Sequence, residues 1–160
     1  MTTAEQTPTT QEPVVIAPRL DLSALAPKVY KAMLALDAAA GEGLEPALKE
    51  LVRVRASQLN GCAYCIDMHS GDARQGGESE QRLYALSAWA EASAFTARER
   101  AAFALTDAMT DLTRTHVPDE TYALAAAEFD ESGLAQLISL VLTINVWNRI
   151  GVTCRLTPGS

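Results

Sequence analysis

The chain has 160 residues and a formal net charge of −7, from 13 Lys+Arg against 20 Asp+Glu, with three cysteines. That length suits one domain and leaves no room for a separate substrate domain; the acidity argues against nucleic acid and against a polybasic membrane surface. Three cysteines are too few, and odd, for a secreted disulfide scaffold, so a cytoplasmic protein is expected and a cysteine pair is read as chemistry.

Residues 1–20 are rich in Thr, Pro, Gln and Glu and have neither a basic start nor a long apolar run. They read as a flexible tail rather than a secretory signal, with Val14-Val15-Ile16 as the first contact with the body. Residues 21–157 read as a single all-α domain, because alanine dominates and β-branched runs between turn signals are nearly absent. Val29, Met33 and Leu36 form one apolar stripe on a helix from about Pro27 to Ala40, stopped by Gly41 and Gly43. A second helix starts near Glu45-Pro46, turns Leu48, Leu51, Val52 and Leu59 toward the core and ends at Asn60-Gly61. The third is expected from Cys62 to about Gln75, before Gly76-Gly77. Ser79 to Trp89 reads as a fourth, with Leu83, Leu86 and Trp89 inward.

Thr96 with Glu99 is a capping-box pattern that opens a helix over Ala97 to Asp111. Glu91, Arg98, Glu99 and Arg100 are expected to form a solvated face. Val117-Pro118-Asp119 starts another helix, through Glu128. The last follows Asp130 or Ser132 and runs to about Val152. Its apolar run is broken by Gln136, Asn145, Asn148 and Arg149, so it is read as a buried helix, and no segment is expected to span a membrane. Asn145, Asn148 and Trp147 are expected to tie helices or protomers together.

The chemistry concentrates in Gly61-Cys62-Ala63-Tyr64-Cys65-Ile66-Asp67-Met68-His69, just after a turn and at a helix start. Two cysteines three apart share one side of a helix, close enough for a disulfide. Unpaired N–H groups at a helix N-terminus favour a thiolate. His69 lies one turn beyond Cys65 on the same face and can take or relay its proton. Glu50 precedes Cys65 by fifteen residues; a hairpin about Asn60-Gly61 would let it orient His69 or move its proton.

These residues carry a resemblance. Glu50-Leu51-Val52, Gln58-Leu59-Asn60-Gly61-Cys62-Ala63-Tyr64-Cys65 and then His69 resemble the alkylhydroperoxidase AhpD core of the carboxymuconolactone decarboxylase family. Ile144-Asn145-Val146-Trp147-Asn148-Arg149 is similar to that family's last helix. The resemblance implies an AhpD-like helical domain, assembled as a homotrimer or homohexamer, that reduces alkyl hydroperoxides. It implies Cys65 as the peroxidatic thiolate, Cys62 as the resolving thiol, and Glu50 and His69 as the proton relay. A dithiol or lipoylated protein would be the reductant, and no metal, haem or flavin cofactor is required. The best-known peroxidase branch has a histidine between its cysteines where this chain has Tyr64. A tyrosine supports by donating a hydrogen bond but is a poor proton shuttle at neutral pH, so a slow peroxidase or a disulfide reductase is also implied.

Other readings of the same residues stay open. Glu50 and His69 can serve a decarboxylase-like lyase as acid and base, with the cysteines incidental. The helices can form a non-catalytic oligomeric scaffold. Cys62, Cys65 and His69, with Glu50, can hold a metal, and the cysteines can be plain core residues. His116 and Cys154 are given no role.

Overall fold

The computed structural model describes residues 14–158, so most of the expected tail, residues 1–13, lies outside the described residues. The helices, in chain order, are α1 (Leu22–Leu25), α2 (Pro27–Ala39), α3 (Pro46–Asn60), α4 (Ala63–Gln75), α5 (Glu80–Ala85), α6 (Ala97–Thr110), α7 (Leu112–Thr115), α8 (Asp119–Glu128) and α9 (Glu131–Cys154). A 3₁₀ turn over Leu86–Ala88 extends α5, and no strand is present among the described residues. The fold is all-α. α1 and α7 are single turns, too short to show a periodicity in the sequence.

α3 is the central element, packed against α4, α6 and α9. It buries Leu48, Leu51, Val52 and Val54, which meet Leu134, Leu137, Leu140 and Val141 of α9 in one core. Phe103 of α6 is fully buried, with Phe95 edge-on at 5.2 Å and Trp89 tilted at 5.9 Å between ring centroids. Truncating such a phenylalanine typically costs about 3–5 kcal/mol. The capping box forms as expected: Glu99 N–H donates to Thr96 Oγ1, and Thr96 N–H donates to Glu99 Oε2.

The structure corrects several expectations. Val29 and Leu36 are 56% and 52% exposed, and α2 buries no residue. Its stripe lies on the outside because α2 meets the body mainly at α9, where Tyr30 stands edge-on to Trp147. Leu59 is also exposed, on the rim of a surface cleft beside Trp89 and Asp107. Val14, Val15 and Ile16 touch nothing that buries them. The chain is first pinned further along, where Arg19 N–H donates to the Cys154 carbonyl at 2.8 Å.

Only Glu91 of the expected solvated face is simply exposed. Arg98 stacks on Phe129 at 3.7 Å and pairs with Glu45, and Arg100 donates to the Trp89, Ala90 and Ala92 carbonyls. Glu99 pairs with Arg82. Among the described residues one helix, α9, is long and apolar enough to cross a membrane, and half of its most apolar window is buried in the fold. The core side of α9 is where α3 and α4 need an apolar wall.

Candidate active site

α3 ends in a Schellman motif. Gly61 adopts φ 65°, ψ 32°, its N–H donates to Gln58, and Cys62 N–H donates to the Ser57 carbonyl at 3.0 Å. An L-residue at Gly61 would pay for the left-handed conformation, so glycine permits the sharp corner. Cys62 is then at once the last residue of the corner and the N-cap of α4, its Sγ accepting from Cys65 N–H at 3.3 Å. The two cysteines are joined as a disulfide, with Cα atoms 5.4 Å apart. Both are only 2% exposed.

One turn along α4, His69 is 7% exposed. Its Nδ1 lies 2.8 Å from Glu50 Oε2, so the corner does bring the α3 carboxylate onto the α4 imidazole. Arg53 Nη1 donates to the other oxygen, Glu50 Oε1, at 2.7 Å and also faces Asp37. Burial alone would push the Glu50 carboxyl up. The hydrogen bond with His69 and the charge of Arg53 together outweigh it and hold the carboxyl below its ordinary value. Tyr64 is half-buried in the first turn of α4.

One feature of the site, Gly151, was not picked out in the sequence, whereas the helix-tying role expected of Asn145 and Asn148 is observed, with Asn60 as an added partner. Gly151 of α9 backs the cysteines with bare backbone: a Cβ there would sit 2.7 Å from Cys62 Sγ and 3.4 Å from Cys65 Sγ. The available signal was a glycine inside a helix at Ile150-Gly151-Val152, where no stop is needed. Asn60, the last residue of α3, reaches Asn145 Oδ1 at 3.0 Å and Asn148 Oδ1 at 2.9 Å. Asn148 in turn donates to Ser57 Oγ, and Asn145 to Thr110 Oγ1. These buried amides tie α3, α6 and α9 at the base of the corner. His116 is exposed at the end of α7, and Cys154 is a buried free thiol.

The model of the carboxymuconolactone decarboxylase family matches residues 27–108, half of the chain. The chain belongs to that family. Its fold is AhpD-like, and it carries the Cys-x-x-Cys pair at Cys62 and Cys65. Uncharacterized protein YdfG of Bacillus subtilis strain 168 is 38% identical over 135 residues, covering 84% of this family member and 92% of YdfG. A solved protein of unknown function from Agrobacterium tumefaciens, ATU0492, which is named for AhpD antioxidant defence, superposes with a TM-score of 0.87. It is 34% identical and covers 90% of this chain and 99% of its own. The debrominase Bmp8 shares the fold at a TM-score of 0.75 and 18% identity, over 86% of this chain and 74% of Bmp8.

Proposed function

We propose that this family member is a thiol-dependent peroxidase that reduces alkyl hydroperoxides through Cys65 and Cys62. The observation that carries the reading is the Cys62–Cys65 disulfide at the start of α4, one turn from a His69 held by Glu50. In the reduced protein the Cys65 thiolate attacks the peroxide's terminal oxygen. The O–O bond breaks, the alkoxide leaves as the alcohol after taking a proton, and Cys65 becomes a sulfenic acid. Cys62 thiolate then displaces hydroxide from that sulfur, releasing water and forming the disulfide. An external dithiol, such as a lipoylated protein, returns two electrons and two protons through a mixed disulfide.

His69 is suited to the proton steps because a Glu50 carboxylate can only accept. Nδ1 must carry the hydrogen in that bond, which leaves Nε2 of the neutral ring as a base. Tyr64, between the two cysteines in sequence and half-buried, would supply a hydrogen-bond donor rather than a proton shuttle. The protein would act in the cytoplasm as a homotrimer or homohexamer, with the outer faces of α2 and α9 between protomers.

The test is intact mass and thiol count after one equivalent of an organic hydroperoxide, on wild type and Cys62→Ser. A loss of two hydrogens in wild type and a sulfenic adduct on Cys65 in the variant is the expected outcome. Unchanged masses with both thiols free would end the peroxidase reading.

A further inference from the structure

Glu50, His69 and Asp72 offer one oxygen, Nδ1 and another oxygen that all lie within 4.8 Å of one another. Asp72 follows His69 by three residues on α4, so it stands on the same side of the helix. We propose that these three side chains form a binding site for a zinc-class divalent ion, and that an occupied site silences the peroxidase. The second clause rests on the relay reading above; the binding does not.

The donor set fits such an ion. Zinc holds imidazole nitrogen and carboxylate oxygen at roughly 2.0–2.2 Å, which places tetrahedral donors about 3.3 Å apart. Glu50 Oε2 and His69 Nδ1 already stand at 2.8 Å, and need only spread slightly as Asp72 closes in. A buried imidazole among the donors favours zinc-class ions over magnesium or calcium, which prefer all-oxygen sets. Three protein ligands leave the fourth position to water.

An entry path exists. Glu50 and Asp72 line a surface cleft of about 340 Å³ with Lys49 and Arg53. Arg53 is the main argument against a cation. Its guanidinium, however, occupies Glu50 Oε1 and faces Asp37, which leaves Oε2 toward His69. Arg53 therefore orients the carboxylate as an outer partner of a ligand would. The cleft itself carries two carboxylates, Glu50 and Asp72, against the two cations Lys49 and Arg53, and Arg53 is further offset by its pairing with Asp37. Asp72 is exposed and makes no contribution to the core, so its substitution leaves the fold intact.

An ion at His69 Nδ1 takes that nitrogen's lone pair, so the neutral ring carries its hydrogen on Nε2. The Nδ1 proton leaves to solvent as Nε2 gains one, and Nε2 is no longer a base. The ion then holds the imidazole, and the carboxylate can no longer take up positive charge from it. The thiols are not ligands in this arrangement, which separates the site from a cysteine-based zinc centre.

The experiment titrates zinc chloride into the oxidised full chain, in which Cys62 and Cys65 cannot ligate, by calorimetry and by imidazole NMR. One equivalent should bind, with the His69 resonances shifting, and Asp72→Asn should weaken binding at least tenfold. Absence of binding, or equal binding by Asp72→Asn, overturns the site. Peroxidase assays form the second arm: zinc should slow wild type and spare Asp72→Asn at the same concentration. Asp72-dependent binding without slowing upholds the site and removes the relay reading instead.

Discussion

Glu50 and His69 stand on different helices, and the 2.8 Å between Glu50 Oε2 and His69 Nδ1 joins the two sides of the corner at Gly61. The contact exists because the Schellman turn folds α4 back along α3. Glu50 is held charged by His69 and Arg53 despite its burial, so it meets the His69 ring as a carboxylate.

Replacing the carboxylate with an amide tests that pairing. Glu50→Gln keeps the shape but lets the side chain offer Nδ1 either a donor or an acceptor, so the ring tautomer is no longer fixed. Peroxide turnover should fall about 10–100-fold, the usual range for losing a ligand's or base's orienting partner. The fall should lie in kcat, with helical circular dichroism unchanged. A variant as fast as wild type would remove Glu50 from the relay.

The depressed carboxyls also set a pH dependence. Glu50 and Glu99 both titrate below the ordinary value; for Glu99, burial opposes the shift, while the Thr96 backbone and Arg82 drive it. A group whose folded value is lowered stabilises the fold above its unfolded pKa, about 4.3 for glutamate. That contribution is lost as pH falls through the lower folded value. Urea midpoints should therefore drop as the pH goes from about 5 toward 3, and the drop should be shallower in Glu99→Gln. Gln preserves the capping geometry, so an unchanged slope in that variant would show that Glu99 has no part in it.

Much of this architecture was legible in the sequence because it is local. Thr96 and Glu99, Asn60-Gly61, Gly76-Gly77 and the Cys62–His69 spacing each act within a turn or two, and each places its element within a residue or two. What the sequence could not place was direction. Val29, Met33 and Leu36 announce an apolar stripe, but periodicity says nothing about whether that stripe meets the body. Leu59 fails for the same reason, being one residue from a helix end. The Glu50–His69 contact was only permitted by register, since it depends on how α3 and α4 cross. A glycine inside a helix marks Gly151 as unusual, but its role was not legible because it is a close approach from a helix 86 residues beyond Cys65.

That close approach makes Gly151→Ala informative. In an ordinary helix the change gains about 1 kcal/mol in propensity. Here the new Cβ would fall 2.7 Å from Cys62 Sγ, and overpacking of this kind costs about 1–3 kcal/mol. The sulfur is held by its disulfide and cannot swing away, so the clash should win. We expect a lower melting temperature by a few degrees. In a Cys62→Ala background the same change should be neutral or stabilising, because the obstacle is gone. Identical effects in both backgrounds would place the strain elsewhere.

The outward stripe of α2 bears on assembly. Val29, Leu34 and Leu36 are all about half exposed, and Leu142 and Val146 stand exposed on α9, the helix that α2 packs against. Exposed apolar residues on two adjoining helices are the kind of surface that an interface between protomers covers. A homotrimer or homohexamer would bury it. Val29→Glu with Leu36→Glu places charges that cannot be desolvated cheaply in such a contact, yet neither position supports the core of its own chain. Light scattering should show wild type as three or six chains and the double variant as a smaller species with unchanged circular dichroism. A wild type that stays monomeric across a hundredfold concentration range would remove the assembly, and so would a double variant of undiminished size.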